Sequence, residues 1–315
     1  MSIVKIDGLT KKYGKYTALN NISISIEEGI IFGLLGPNGS GKSTLINILS
    51  GNLSFNKGKC TILGQDIIRD SKYIKSRIGI VPQQYAFYED LKVRENLEFF
   101  GRLYGLSKME IKNNISKISE SVGLTSYENE YPGKFSGGMK RRVNIACALI
   151  HNPKLLIMDE PTASLDILGR EDILNTVKDI NKSGCTVIYT THNMEEVEAI
   201  CSRVAILNNG EVMGEGTVGD IRNIVLGKKI IEIVINKLSQ NQRRSIGESI
   251  KNKIFFDKVT IEEKSKKEDL IRFESDNITI TLERVIPILK NNKIIIEDIN
   301  INKTSLEESF LRLTI

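Results

Sequence analysis

GPNGSGKST, running from Gly36 to Thr44, lies after the apolar run IIFGLLG and before the helically spaced run KSTLINIL. A strand, a glycine loop and a helix in that order make a phosphate-binding turn. The glycines let the backbone curl until successive N–H groups point at one anion, and the following helix adds its unsatisfied N–H groups and positive dipole end. Gly36, Pro37, Asn38, Gly39, Ser40, Gly41, Lys42, Ser43 and Thr44 are therefore expected to wrap a chain of phosphates. Lys42 brings a positive charge for the outer phosphates. Ser43 places a hydroxyl where Mg²⁺, which takes hard oxygen ligands, would bridge them.

A second stretch, LLIMDEPT from Leu155 to Thr162, complements the first. Its apolar run suits a buried parallel strand and ends in two carboxylates. Ligand sites of doubly wound sheets lie at the carboxyl ends of such strands. Asp159 is expected to hold the magnesium, directly or through water, and Glu160 to face the outermost phosphate and polarise the attacking water.

A third stretch, FSGGMKRR from Phe135 to Arg142, opens the helical run MKRRVNIACALI about ninety residues after Lys42. Ser136, Gly137, Gly138 and Met139 form a second helix start able to read an anion. With all three stretches in this order the chain resembles the ATP-binding-cassette ATPases, whose signature motif Phe135–Met139 matches. The resemblance implies binding and hydrolysis of ATP with Mg²⁺. It also implies that two copies associate head to tail, each signature covering the ATP held by the partner's phosphate loop.

The same resemblance gives roles to single positions. Tyr13 in KKYGKYTAL matches the aromatic on which adenine stacks, although a residue of this kind by itself is more often a half-buried strand residue. Gln83, directly after Val-Pro, matches the glutamine that touches the metal and water region and relays nucleotide state to a membrane partner. Ser164, Leu165 and Asp166 match the loop crossing the dimer seam. His192, ending the strand TVIYTTH, matches the histidine that hydrogen-bonds the terminal phosphate, whereas His151, before Asn152-Pro153, reads as a turn residue. Four positions depart from the usual pattern: Met139 replaces Gln, Phe135 replaces Leu, Ser164 stands where Gly or Ala is common, and Ile167 replaces Pro. None removes a ligand, so a competent hydrolase is expected.

The chain has 315 residues, 40% of them hydrophobic, enough for a sizeable core and more than one domain. Its 44 basic and 39 acidic residues give a formal charge of only +5, read as a solvated surface and no nucleic-acid partner. Cys60, Cys147, Cys185 and Cys201 lack metal-ligand spacing and read as reduced thiols. With no leader at Met1 and no apolar run of about eighteen residues, the chain is not expected to cross a membrane itself. Abundant Ile, Lys and Asn fit a bacterial source.

The expected fold class is α/β. Residues 1–220 would form a phosphate-loop nucleoside triphosphate hydrolase core of cassette type, with an antiparallel β subdomain and a helical subdomain carrying the signature. The helical pattern of Val93 to Gly123 breaks near Gly105, and Tyr85, Phe87 and Tyr88 before it read either as lining a partner groove or as core. Asn193 with Glu196 reads as a capping box, and Asn209-Gly210 as a hairpin turn. Residues 221–315 would form a small accessory α+β domain of ferredoxin-like order. It would hold strand KIIEIVI, a helix near Leu238 to Ile250, strands VTIEEK and LIRFES, helix ITLERVIPILKN, strand KIIIEDINI and a last helix SLEESFLRL. The segment Thr304 to Thr314 resembles the closing segment of ATPase subunits from bacterial drug-export systems. That implies a peripheral protein on the cytoplasmic face of the cell membrane, working with a separate polytopic permease. Import, lipid or ion transport, and a soluble ribosome-associated role remain open alternatives. A DNA-maintenance role does not fit, because the spacing between Lys42 and Ser136 leaves no room for a long coiled coil.

Overall fold

The computed structural model describes residues 2–221, 229–239, 242–243, 259–265, 267–275 and 277–302. The chain divides into two compact units, residues 1–221 and 222–313.

In the first unit, β1 (Ser2–Tyr13) and β2 (Tyr16–Glu27) pair antiparallel, followed in the chain by β3 (Ile31–Leu35) and α1 (Lys42–Leu49). β4 (Lys57–Ile62) pairs with the other edge of β1, and β5 (Gln65–Asp66) lies beyond it, giving a sheet in the order β2-β1-β4-β5. Alternation sets which face is inside: Ile22, Ile24 and Ile26 of β2 are buried while Ser23, Ser25 and Glu27 are exposed.

After the short α2 (Ser71–Lys75) come β6 (Ile78–Val81), α3 (Val93–Leu103) and α4 (Lys108–Ser121). The break between the last two contains Gly105 at φ 80°, and Ser107 starts α4 by exchanging hydrogen bonds with Glu110. Then follow α5 (Gly137–Leu149), β7 (Leu155–Asp159), α6 (Ile167–Lys182), β8 (Thr186–Thr191), α7 (Met194–Ile200), β9 (Arg203–Asn208) and β10 (Glu211–Thr217).

These strands build a six-stranded sheet in the order β10-β9-β3-β8-β7-β6, parallel except for β10. The β9-β10 hairpin turns on Asn209 and Gly210, at φ 47° and 77°, the paired left-handed geometry a tight hairpin needs. β7 shows why a central strand carries apolar side chains on both faces. Leu155 and Ile157 pack with Ile24, Leu34 and Leu45 on one side, and Leu156 and Met158 with Val143, Ala146 and Val177 on the other. Each such side chain contributes roughly 1.5–3 kcal/mol by leaving water.

In the second unit, β11 (Lys229–Asn236), β12 (Val259–Glu263), β13 (Glu268–Ser275), α8 (Ile278–Asn291) and β14 (Ile296–Asn302) form a sheet in the order β12-β13-β11-β14, antiparallel at every pairing. Ile231, Ile233, Ile235, Ile271 and Phe273 pack against Val285 and Leu289 of α8. That helix continues through Pro287. β14 begins three residues later than the hydrophobic run KIIIEDINI indicates, because Lys293 takes φ 54° and the Ile294 N–H returns to the Leu289 carbonyl at 3.0 Å to close α8. Most of the helix expected near Leu238 to Ile250 lies outside the described residues, as do the last helix SLEESFLRL and the segment Thr304 to Thr314. No helix among the described residues is long and apolar enough to cross a membrane. The four cysteines are free, with only Cys201 partly exposed.

Candidate active site

Four neighbouring strands, β3, β8, β7 and β6, deliver the expected residues to one edge of the sheet. Leu35 pairs with Thr191, Asp159 with Thr190, and Val81 with Met158, so the loops bearing Gly36, His192, Glu160 and Gln83 leave the sheet at nearly one level. Parallel pairing in this order makes the site; none of the four is close to the others in sequence.

The phosphate loop is shaped by backbone that only glycine accommodates. Gly39 and Gly41 take φ 81° and 109°, and a Cβ on Gly36 would collide with the Leu207 carbonyl and the Ser40 hydroxyl. Lys42 is 4% exposed; its ammonium donates to the Gly36 carbonyl at 2.7 Å and the Pro37 carbonyl at 3.1 Å. It lies 3.4 Å from Glu160 Oε1. Burial lowers the Lys42 pKa, while the Glu160 and Asp159 carboxylates oppose the shift. The Ser40 hydroxyl is buried and makes no hydrogen bond among the described residues.

Glu160 takes φ 45°, a strained position for a residue with a side chain, held by its N–H donating to Thr190 Oγ1 at 2.9 Å. The same hydroxyl donates to Asp159 Oδ1 at 2.8 Å. Burial raises the Asp159 pKa, and the neighbouring Glu160 charge adds to the rise; Thr190, Lys42 and a hydrogen bond from Ser43 act against it. Gln83 Nε2 approaches Glu160 Oε2 at 3.4 Å, and His192 Nδ1 lies 3.6 Å from Glu160 Oε1. The Ser43 hydroxyl and Asp159 carboxylate form a hard-oxygen pair at the helix start, a donor set that fits Mg²⁺.

Tyr13 ends β1 48% exposed, and the Lys11 ammonium sits 5.0 Å from the centre of its ring. It lines one cleft together with Asn38, Gly39, Gly41, Lys42, Ser43, Thr44, Gln83 and Glu160. Ser136, Gly137, Gly138 and Met139 line a separate depression with Ser164, Leu165 and Asp166. There Ser136 caps α5 by accepting from the Met139 N–H at 3.3 Å, and Asp166 caps α6 by accepting from the Gly169 N–H at 2.8 Å. Ser164, at φ 64°, holds a conformation a glycine would adopt without strain. Ile167 is 79% exposed, whereas Phe135 packs edge-on against Tyr127. Of the three aromatics after Gln83, Phe87 packs on the helical core while Tyr85 and Tyr88 stay exposed.

Two positions on α5 escape a sequence reading. Arg141, 2% exposed, donates to the Pro82 and Gln83 carbonyls, each at 2.9 Å. Asn144 donates to the Pro82 carbonyl at 3.2 Å and accepts from the Ala86 N–H at 3.0 Å. The capping box expected at Asn193 is not made: Asn193 accepts from the Glu195 N–H at 2.8 Å, and Glu196 turns inward to buried hydroxyls. His151 sits in its turn but stacks on Tyr104, ring centroids 3.6 Å apart.

The family description "ABC transporter" matches residues 19–163. The chain is 38% identical over 312 residues to the linearmycin resistance ATP-binding protein LnrL of Bacillus subtilis, covering 99% of this chain and 98% of the relative. It is 33% identical to the daunorubicin resistance ATP-binding protein DrrA2 of Streptomyces coeruleorubidus, covering 99% and 94%. Among solved structures, cbiO1 from Clostridium perfringens, part of an ABC transporter complex, superposes with a TM-score of 0.66 at 29% identity, over 72% of this chain and 95% of that one. Similarity spanning nearly the whole length of these relatives places the chain in the ABC transporter family, as one of its ATP-binding and ATP-hydrolysing proteins.

Proposed function

We propose that two copies of this chain bind two ATP molecules head to tail and energise efflux of a drug, an antimicrobial or a lipid-like molecule through a separate polytopic membrane protein. The observation that carries this reading is the separation of the two phosphate-reading surfaces. Lys42, Gln83 and Glu160 line one cleft, with His192 Nδ1 3.6 Å from Glu160, while Ser136 to Met139 and Asp166 line another that contains no phosphate loop. A second copy brings its signature depression to the first copy's ATP. The resistance relatives, which align over nearly their full length, support export, and the absence of a spanning helix among the described residues fits a peripheral subunit on the cytoplasmic membrane face. Residues 222–313 act as an accessory domain, whose sheet order is that of a split βαβ unit.

In the cleft, the loop N–H groups and Lys42 neutralise the phosphates, and Tyr13 stacks on adenine. Mg²⁺ held by Ser43 and Asp159, with Gln83 beside them, supplies positive charge against the phosphate oxygens when bound. Glu160 accepts a proton from the water that attacks the terminal phosphorus as ADP departs, and His192 hydrogen-bonds the terminal phosphate. Gln83 passes the closed or open state of the site to the membrane partner. The test is Glu160→Gln: turnover should fall about 10²- to 10⁴-fold with ATP affinity retained, and ATP should trap a dimer visible by light scattering. Near-normal hydrolysis by this variant removes the base assignment; a variant that stays monomeric with saturating ATP removes the sandwich.

A further inference from the structure

Glu196 is 4% exposed, and its carboxylate gathers three hydroxyls. Thr162 Oγ1 donates to Oε1 at 2.8 Å; the Tyr189 hydroxyl and Thr191 Oγ1 donate to Oε2 at 3.0 and 2.7 Å. Arg170 Nε lies 3.4 Å from Oε1. The partners come from three places around the hydrolytic cleft and the seam, Tyr189 and Thr191 both from β8. Thr162 follows Glu160-Pro161, Thr191 immediately precedes His192, and Arg170 stands on α6 beyond Asp166. Thr191 Oγ1 also accepts from the Asn193 N–H at 3.0 Å, so the backbone on both sides of His192 is tied to one carboxylate.

A carboxylate is acceptor-only, so it fixes the direction of all three hydroxyl hydrogens at once. Burying a carboxylate with one partly exposed guanidinium as counter-ion is costly, and a neutral apolar core at this place would avoid that cost. The cost secures a single arrangement of three loops rather than extra stability.

We propose that Glu196 is a positioning residue for hydrolysis: it holds His192 in register with Glu160 and, through Arg170, ties both to the loop bearing Asp166. This rests on the assignment of Glu160 and His192 as the hydrolytic pair. The phosphate loop hangs on β3 and α1 and meets these residues through the Gly36 N–H on the Thr191 backbone carbonyl at 3.4 Å, a bond that does not involve the Glu196 carboxylate, so ATP binding should be spared while turnover suffers.

The test compares the full chain with Glu196→Gln, His192→Ala and the double variant by steady-state MgATP hydrolysis, affinity for a fluorescent ATP analogue and thermal melting. Glu196→Gln is expected to keep its affinity within about 2-fold and lose about 10- to 100-fold in kcat, the cost of misplacing reacting groups. Because Glu196 acts through His192, the double variant should be no slower than His192→Ala alone. Wild-type kcat in Glu196→Gln, or losses that multiply in full in the double variant, would overturn the proposal. Should Glu196→Gln fail to fold, Thr191→Val removes only the link beside His192, and wild-type turnover there overturns it equally. A fast His192→Ala would instead remove the His192 assignment and this coupling with it, whereas a slow His192→Ala beside a fast Glu196→Gln removes the coupling alone.

Discussion

The Arg141 guanidinium donates to the Gln83 carbonyl oxygen at 2.9 Å. The helix that starts at the signature serine thus grips the backbone of the glutamine whose amide lies beside Glu160. Arg141 also holds the Pro82 carbonyl, and its guanidinium lies 5.1 Å from the Tyr85 ring centroid. The signature helix and the Gln83 loop are therefore joined by direct hydrogen bonds.

Arg141→Met keeps the volume of the side-chain stem and removes the donors. The Gln83 carbonyl loses its partner, at a cost of roughly 1–3 kcal/mol, lessened where water reaches it, while the Pro82 carbonyl keeps its bond from Asn144. The expected outcome is a lower urea midpoint and a turnover reduced about 10-fold, with nucleotide affinity nearly unchanged because Lys42 and its loop are untouched. Equal losses in affinity and turnover would place Arg141 in nucleotide binding instead.

What the sequence discloses follows from how local each signal is. The phosphate loop is legible because strand, glycines and helix adjoin in the chain, and Glu160 because it ends an apolar strand. Gly105 and Asn209-Gly210 punctuate the chain where only left-handed backbone fits. Arg141 and Asn144 are illegible because, in KRRVN, a buried arginine looks like its solvated neighbours; only the return of the chain after β6 covers it. Glu196 misleads for the same reason: its spacing from Asn193 suits a cap, but Thr162, Tyr189 and Thr191 arrive from other strand ends and draw it inward. Separation of the signature depression from the phosphate cleft is likewise a property of the folded sheet, not of spacing.

Two glycines of one loop should respond differently to a methyl group. At Gly41 a Cβ would stand 2.8 Å from the Ala18 carbonyl oxygen and 2.8 Å from Leu19 Cδ2, with φ 109°. At Gly39 φ is 81°, but nothing lies within 4 Å. Gly41→Ala must displace the loop from β2 and should weaken ATP binding by at least about 10-fold; Gly39→Ala bears chiefly backbone strain, about 1–2 kcal/mol. Titration with a fluorescent nucleotide separates the two, and equal affinities would show that the loop yields freely at Gly41.

His151 should make the first unit sensitive to acid. Its Nε2 lies 3.0 Å from the Ile78 carbonyl, an acceptor, so the neutral ring carries its proton on Nε2; Nδ1 is buried with no hydrogen-bond partner among the described residues. Protonating Nδ1 would add a charge and an N–H with no acceptor. Burial accordingly lowers the pKa to about 4, although the Ile78 carbonyl opposes the shift. The unfolded chain takes up this proton near pH 6.5, the folded one only near 4, so stability is constant above that window and falls as pH drops from about 6.5 to 4. Replacing His151 with Phe keeps the stack on Tyr104 and removes the titration. The variant's melting temperature should fall less steeply between pH 6.5 and 4 than that of the natural chain, and identical slopes would assign the acid sensitivity to other groups.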